Sequence, residues 1–192
     1  MEPIGVLKDG QIYDLQTAEA LNIEGDIIKQ DNSAESLEIL RHSCAHMMAQ
    51  AIKELYPDAK FFVGPVVTEG FYYDFKVDAK ISDDDLVTIE KKMKEIANRK
   101  LKIERYETTR EEIVSKFADD ELKQAVLANI TDETLTMYKQ GDFEDLCRGP
   151  HLPTTGMIRA FKLTRVAGAY LGGDEENEMI TRIYGIAFFD KK

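Results

Sequence analysis

The chain has 192 residues, with 25 Lys and Arg against 36 Asp and Glu and a formal net charge of −11. Such acidity argues against broad, nonspecific nucleic-acid binding, which needs a basic face, and leaves room for a local basic patch or a site holding the end of an RNA strand. Hydrophobic residues make up 43%, enough for a soluble core, while no apolar run reaches the length of a membrane span and the start MEPIGVLKDG lacks the flanks of a secretory signal. A cytoplasmic protein with no membrane contact is the expectation. The two cysteines, Cys44 and Cys147, are too few for a secreted disulfide framework and are expected as free thiols.

In chain order, VLKDGQIYDL alternates about Asp9-Gly10, a favoured hairpin turn. LQTAEALNI reads as a short helix and EGDIIKQDNS as polar and turn-like. Residues 1–32 are expected to form a short appendage, and residues 33–192 the main domain. AESLEILRHSCAHMMAQAIKELYP then takes a helical period. Leu37, Leu40, Cys44, Met47, Met48, Ala51, Ile52 and Leu55 fall on one stripe, and Pro57 ends the run. FFVGPVV and GFYYDFKV read as strands about a turn at Thr68-Glu69-Gly70.

Ser82, followed by three aspartates, is the expected cap of the next helix, whose apolar face is Leu86, Ile89, Met93 and Ile96. LKIERYE reads as a strand. Thr109 and Glu112 form a capping-box pattern before a short helix ending near Phe117. Residues 120–129 suggest another helix and TLTMYKQ a strand. GDFEDLCRGPHLP is expected to be mostly irregular because Gly149-Pro150 interrupts it. FKLTRVAGAYLGG and EMITRIYGIAFFD read as closing strands. The elements follow no strict βαβ order, so the expected class is α+β with a largely antiparallel sheet. The end AFFDKK has no cap or tail and reads as a cut from a longer chain.

All three histidines fall in two pairs with four-residue spacing: His42 and His46 in RHSCAH, and Cys147 with His151 in LCRGPH. On a helix the first pair shares one face about one turn apart, nearly opposite the apolar stripe. Cys44 points the other way and is expected as a small buried hydrophobe. Alone, His-x-x-x-His is a short motif better explained by two solvated side chains. A Gly-Pro loop presenting a thiol and an imidazole over that face would make one shared site. Three imidazoles and a thiol suit a closed zinc site, or an open one with a place for water. Without metal the same groups can position and polarise water or a hydroxyl.

HSCAH, GPVVTEGFYYDF, EDLCRGPH, FKLTRVAGAYLGGD and RIYGIAFF, in that order, resemble the second amino-terminal domain of bacterial threonyl-tRNA synthetases, from about Leu37 to Lys192. Alanyl-tRNA editing proteins share the two histidine-containing pairs. The resemblance implies a largely antiparallel sheet wrapped around a long central helix, with the site in the cleft between them. It implies hydrolysis of serine wrongly joined to threonine tRNA, a task that one missing methyl makes hard for a binding pocket alone.

By the same resemblance His42, His46, Cys147, His151 and Lys123 are catalytic candidates. Asp145 and Tyr73 would contact the amino acid. Arg148, with Arg159, Lys162 and Arg165, would contact phosphates. The implied partners are the serine-bearing 3′ end of tRNA(Thr) and the rest of a homodimeric synthetase. No cofactor is required for hydrolysis, zinc stays open, and ATP, magnesium and zinc belong to a synthetase body outside this chain. The family begins with a ubiquitin-like domain of about sixty residues; residues 1–32 leave it reduced or absent. Two other readings are a free-standing trans-editing deacylase and a non-catalytic, zinc-stabilised RNA-binding module.

Overall fold

The computed structural model describes residues 2–171, 174–176 and 178–190. Its axis is the helix Ala34–Leu55, which we call α2 because a shorter helix, α1 (Leu15–Ala20), precedes it. Ser33 caps α2 by accepting from the Ser36 amide at 3.3 Å, and the helix stops at Tyr56, the residue before Pro57. The apolar stripe is buried in the centre of α2, but so are Ser43, Ala45, His46, Ala49 and Gln50 on other sides. A helix covered all round is a central element rather than a surface one.

Three antiparallel sheets surround it. The first has order β2-β1-β3, from strands Gln11–Asp14, Pro3–Lys8 and Asp26–Lys29. The hairpin turns through Asp9 and Gly10, both at positive φ. The expected turn over EGDIIKQDNS is corrected here: Asp26–Lys29 is a strand because its backbone pairs with β1, although only Ile28 of its side chains is buried. Ile4 and Ile28 enter the main core. Gln16 of α1 donates to the Ile103 carbonyl at 2.6 Å and accepts from the Arg105 amide at 2.8 Å.

The second sheet runs β10-β11-β6-β4, with β5 also on β6, from Ala160–Tyr170, Met179–Phe188, Gly70–Lys76, Lys60–Phe61 and Val66–Val67. Gly64-Pro65 divides FFVGPVV into the two short strands β4 and β5. Phe71, Tyr73 and Phe75 alternate inward on β6 and are almost fully buried. Burial of a side chain the size of Phe is worth about 1.5–3 kcal/mol.

The third sheet is β7-β8-β9, from Ile103–Thr109, Thr134–Gln140 and Phe143–Leu146. The irregular reading of GDFEDLCRGPHLP holds only after Leu146; before it, Phe143–Leu146 closes a hairpin on β8 through Gly141 at positive φ. Helices α3 (Asp85–Arg99), α4 (Arg110–Lys116) and α5 (Glu121–Ala128) complete the fold. Thr109 caps α4 as read, accepting from the Glu112 amide. Ser82 does not cap α3. The N-cap position is Asp84, and the Asp85 carboxylate reaches back to the Ser82 amide at 2.8 Å. The α+β class and antiparallel pairing are those expected from the sequence.

Candidate functional site

The site forms where α2 meets the loop that leaves β9. Four-residue spacing on α2 sets His42 and His46 edge to face, with ring centroids 5.3 Å apart. The β8–β9 register sets Tyr138 opposite Asp145, and the chain then leaves the sheet with the Cys147 amide donating to the Thr136 carbonyl at 3.1 Å. The following loop carries Cys147 and His151 onto α2. The sulfur of Cys147 lies 3.2 Å from His42 Nε2 and 3.3 Å from His151 Nε2. His151 sits 4.4 Å, centroid to centroid, from both His42 and His46. One donor atom from each of the four residues lies within 4.8 Å of all the others.

The surrounding chain aims these groups. His42 Nδ1 is 3.1 Å from the Pro150 carbonyl, which can only accept, so Nδ1 carries the proton and Nε2 offers a lone pair. Ser43 Oγ accepts from the Leu152 amide at 2.8 Å and meets His151 Nδ1 at 3.0 Å, leaving Nε2 for the cluster. The Gly149 amide donates to Cys147 Sγ at 3.2 Å.

His46 and His151 are buried, while His42 and Cys147 keep partial exposure and are the cluster's route to solvent. Burial pushes His42 down to about 4, against the Pro150 carbonyl and Asp14, which pull upward. Burial, then the neighbouring His42, lowers His46 to about 3. Burial and the two other rings hold His151 well below its ordinary value. Burial raises the Cys147 thiol to about 12, with the Gly149 amide opposing. Near neutral pH the ligand-free cluster is therefore three neutral imidazoles and a thiol.

A second group lies beside it. Asp145, 3% exposed, accepts from the Tyr73 hydroxyl on one oxygen, and from Lys123 Nζ and the Leu146 amide on the other. Lys123 is itself only 2% exposed, and the Asp120 side chain caps its helix. The Tyr73 ring lies 6.0 Å from that of His46. A carboxylate has about four lone-pair positions, and three donors among the described residues use three of them.

The structure thus brings seven of the eleven site residues expected from sequence into two adjoining groups. Arg148 is different: its side chain is 79% exposed and pairs with Asp132 at 2.9 Å. Arg165 stacks over the Tyr184 ring and Lys162 lies 3.6 Å from Glu90. Arg159 and Lys162 line a concavity of about 390 Å³ with Lys94 and Phe161, and none of the four clustered residues borders it. Convergence of reactive groups, rather than cavity size, marks the site. Asp14, Ser43 and Tyr138 also reach the cluster but form no pattern in the sequence. A standard N-cap signal at Asp14 was the single local cue.

The four donors suit a metal by chemical type. Zinc with nitrogen at about 2.0 Å and sulfur at about 2.3 Å sets tetrahedral donors roughly 3.3–3.8 Å apart. Separations of 3.2 and 3.3 Å about Cys147 are near that spacing. The Pro150 and Ser43 contacts to the Nδ1 atoms are the outer partners that metal-bound imidazoles commonly have.

Residues 135–184 match the sequence family described as the threonyl and alanyl tRNA synthetase second additional domain. The chain is 65% identical over 190 residues to a threonine–tRNA ligase of Sulfurovum sp. (strain NBC37-1), covering 98% of this chain and 31% of that protein. It is 63% identical over 191 residues to the threonine–tRNA ligase of Helicobacter hepaticus, covering 100% of this chain and 32% of that one. A third such ligase, from Campylobacter lari, is 68% identical over 162 residues, covering 84% and 27%. The chain thus spans about a third of the length of the curated relatives it matches. Among the described residues, no helix is long and apolar enough to cross a membrane.

Proposed function

We propose, for a chain that belongs to the amino-terminal region of the threonine–tRNA ligase family, that its cleft hydrolyses the ester of seryl-tRNA(Thr). The chain is an editing-type module of an aminoacyl-tRNA synthetase. The specific reading is that it removes serine, while the whole protein, a cytoplasmic homodimer, joins threonine to tRNA(Thr) with ATP. The convergence of His42, His46, Cys147 and His151 beside buried Asp145 carries this reading.

The terminal adenosine bearing serine enters past His42 and Cys147, the partly exposed members of the cluster. Asp145 takes the serine ammonium on its remaining acceptor position, with Tyr73 and Lys123 holding the carboxylate in place. His42 Nε2 accepts a proton from water as the water oxygen attacks the ester carbonyl. The bond between carbonyl carbon and ribose oxygen then breaks, its electron pair stays on the ribose oxygen, and the proton passes there from His42. Free serine and tRNA with a free hydroxyl result. His46, His151 and Cys147 enclose the carbonyl in a site of low polarity, where each dipole acts more strongly than in water. Arg148 and the cations of β10 steer the phosphates. If zinc binds, His42, His46, Cys147 and His151 would hold it, and it would supply polarisation of the carbonyl or a closed structural centre.

The test is serine release from seryl-tRNA(Thr) by the purified chain, with threonyl-tRNA(Thr) as the comparison. Serine is expected to be released far faster than threonine. His42→Ala, still folded, is expected to lose about 10²–10⁴ in rate. Seryl-tRNA left intact by stoichiometric protein would overturn the reading. Unfolding on chelation, with no turnover at any metal level, would favour a structural zinc module instead.

A further inference from the structure

The site contains a second buried carboxylate that the proposed hydrolysis does not use. Asp14 lies at the end of β2, is 2% exposed, and belongs to the amino-terminal sheet rather than to the elements that carry the cluster. Its Oδ1 accepts from the Thr17 amide at 2.8 Å, which fixes it as the cap of α1. Its Oδ2 accepts from the Tyr138 hydroxyl at 2.5 Å and from the His151 amide at 2.9 Å. The Thr17 hydroxyl is 3.2 Å from the Tyr138 hydroxyl, and the Tyr138 ring lies 4.4 Å from the His151 ring. One carboxylate therefore ties together three separated stretches: the first helix, the middle strand β8, and the loop bearing His151.

The loop is shaped around this contact. Gly149 has φ +80°, and a Cβ there would come 2.4 Å from the Tyr138 hydroxyl and 3.0 Å from Asp14 Oδ2. A side chain at position 149 would push the loop off the carboxylate it rests on. The segment that brings Asp14 is itself fastened, through Ile4 and Ile28 in the core and Gln16 on β7.

We propose that Asp14 is a positioning residue of the hydrolytic site, acting through the His151 amide and Tyr138. Residues 1–32 are then a working part of the cleft. The catalytic consequence rests on the proposed deacylation; the hold on the loop does not. Asp14 sets where His151, and through it the Cys147 sulfur, stand relative to His42. Loosening it leaves the reacting groups present but poorly aligned, so turnover falls while substrate capture by Asp145 persists.

The test is Asp14→Asn, nearly isosteric, with three readouts. Hydrogen exchange at the His151 amide is expected to speed up by about tenfold or more, with core amides such as Met48 unchanged. Alkylation of Cys147 is expected to accelerate several-fold; Cys44, fully buried, stays silent as the other thiol. The kcat for seryl-tRNA is expected to fall about tenfold to a hundredfold with KM nearly constant. Tyr138→Phe, which removes one donor and keeps the ring, should move all three in the same direction by less. Unchanged His151 exchange and Cys147 labelling in Asp14→Asn overturn the proposal whatever the activity. So does a loosened loop with full turnover, or a uniform rise in exchange across the core. A wild-type chain without hydrolytic activity would sink the proposed function, while the first two readouts still decide whether Asp14 holds the loop.

Discussion

Asp14 and Asp145 both stand beside one cluster, at 2% and 3% exposure, yet their surroundings differ. Asp145 faces a cation, Lys123, together with Tyr73 and its own strand. Asp14 is held by neutral donors: two amides and a tyrosine hydroxyl. A carboxylate with a buried counter-charge and a free acceptor position suits binding of a cationic group. One placed at the junction of three chain segments suits holding geometry. Equal burial of the same residue type thus says little about role; the partners do.

Removing the cation should disturb this pair most. Lys123→Met leaves Asp145 buried without its counter-charge and is expected to destabilise the fold by about 3–5 kcal/mol in urea titration. A cost below about 1 kcal/mol would mean that Tyr73 and the Leu146 amide suffice, which would erase the contrast with Asp14. The paired deletions Tyr73→Phe and Tyr138→Phe sharpen it. Each removes one hydroxyl donor from a buried carboxylate, worth about 1.5–3 kcal/mol, and Tyr138→Phe is expected to cost more because the donors to Asp14 among the described residues include no cation. Gly149→Ala tests the Asp14 side alone, with about 1–3 kcal/mol expected from the enforced shift.

The smallest effect belongs to a surface control. Glu121, half exposed, is bridged by Lys60 at 2.7 Å and Lys76 at 3.0 Å, and Glu121→Gln should cost at most about 1 kcal/mol at neutral pH. The Lys60 contact, the Glu121 backbone amide and the Lys76 contact lower the Glu121 carboxyl to about 2 from an ordinary 4.5. Its folded value lies below its unfolded one, so its contribution is complete above about 4.5 and fades as pH falls through about 2. Thermal melts of wild type and Glu121→Gln should therefore converge on acidification across that window.

Much of the architecture was legible because it is local. The period of α2, the Asp9-Gly10 turn, the Thr109 cap and the strand at Thr134–Gln140 each have their cause within a few residues. The strands Asp26–Lys29 and Phe143–Leu146 were hidden because backbone pairing, not side-chain pattern, makes them. The site divides in the same way. Four-residue spacing and the Gly-Pro loop exposed the histidine and cysteine pairs, and resemblance supplied Asp145, Tyr73 and Lys123. Asp14, Ser43 and Tyr138 bond across more than a hundred residues of chain, a relation that no local spacing encodes.

The middle turns of the central helix are covered on all sides, and this limits how its length can change. Each residue added or lost turns the remainder of the helix by about 100°. A single-residue insertion between Ser33 and His42 would swing both imidazoles away from the sulfur, or else swing Met47, Met48 and Ile52 out of the core. With residues 43–52 buried on every side, the count of residues along this axis is as constrained as their identity. Drift in this family should therefore run through substitution along α2, with gains and losses of chain confined to the outer turns.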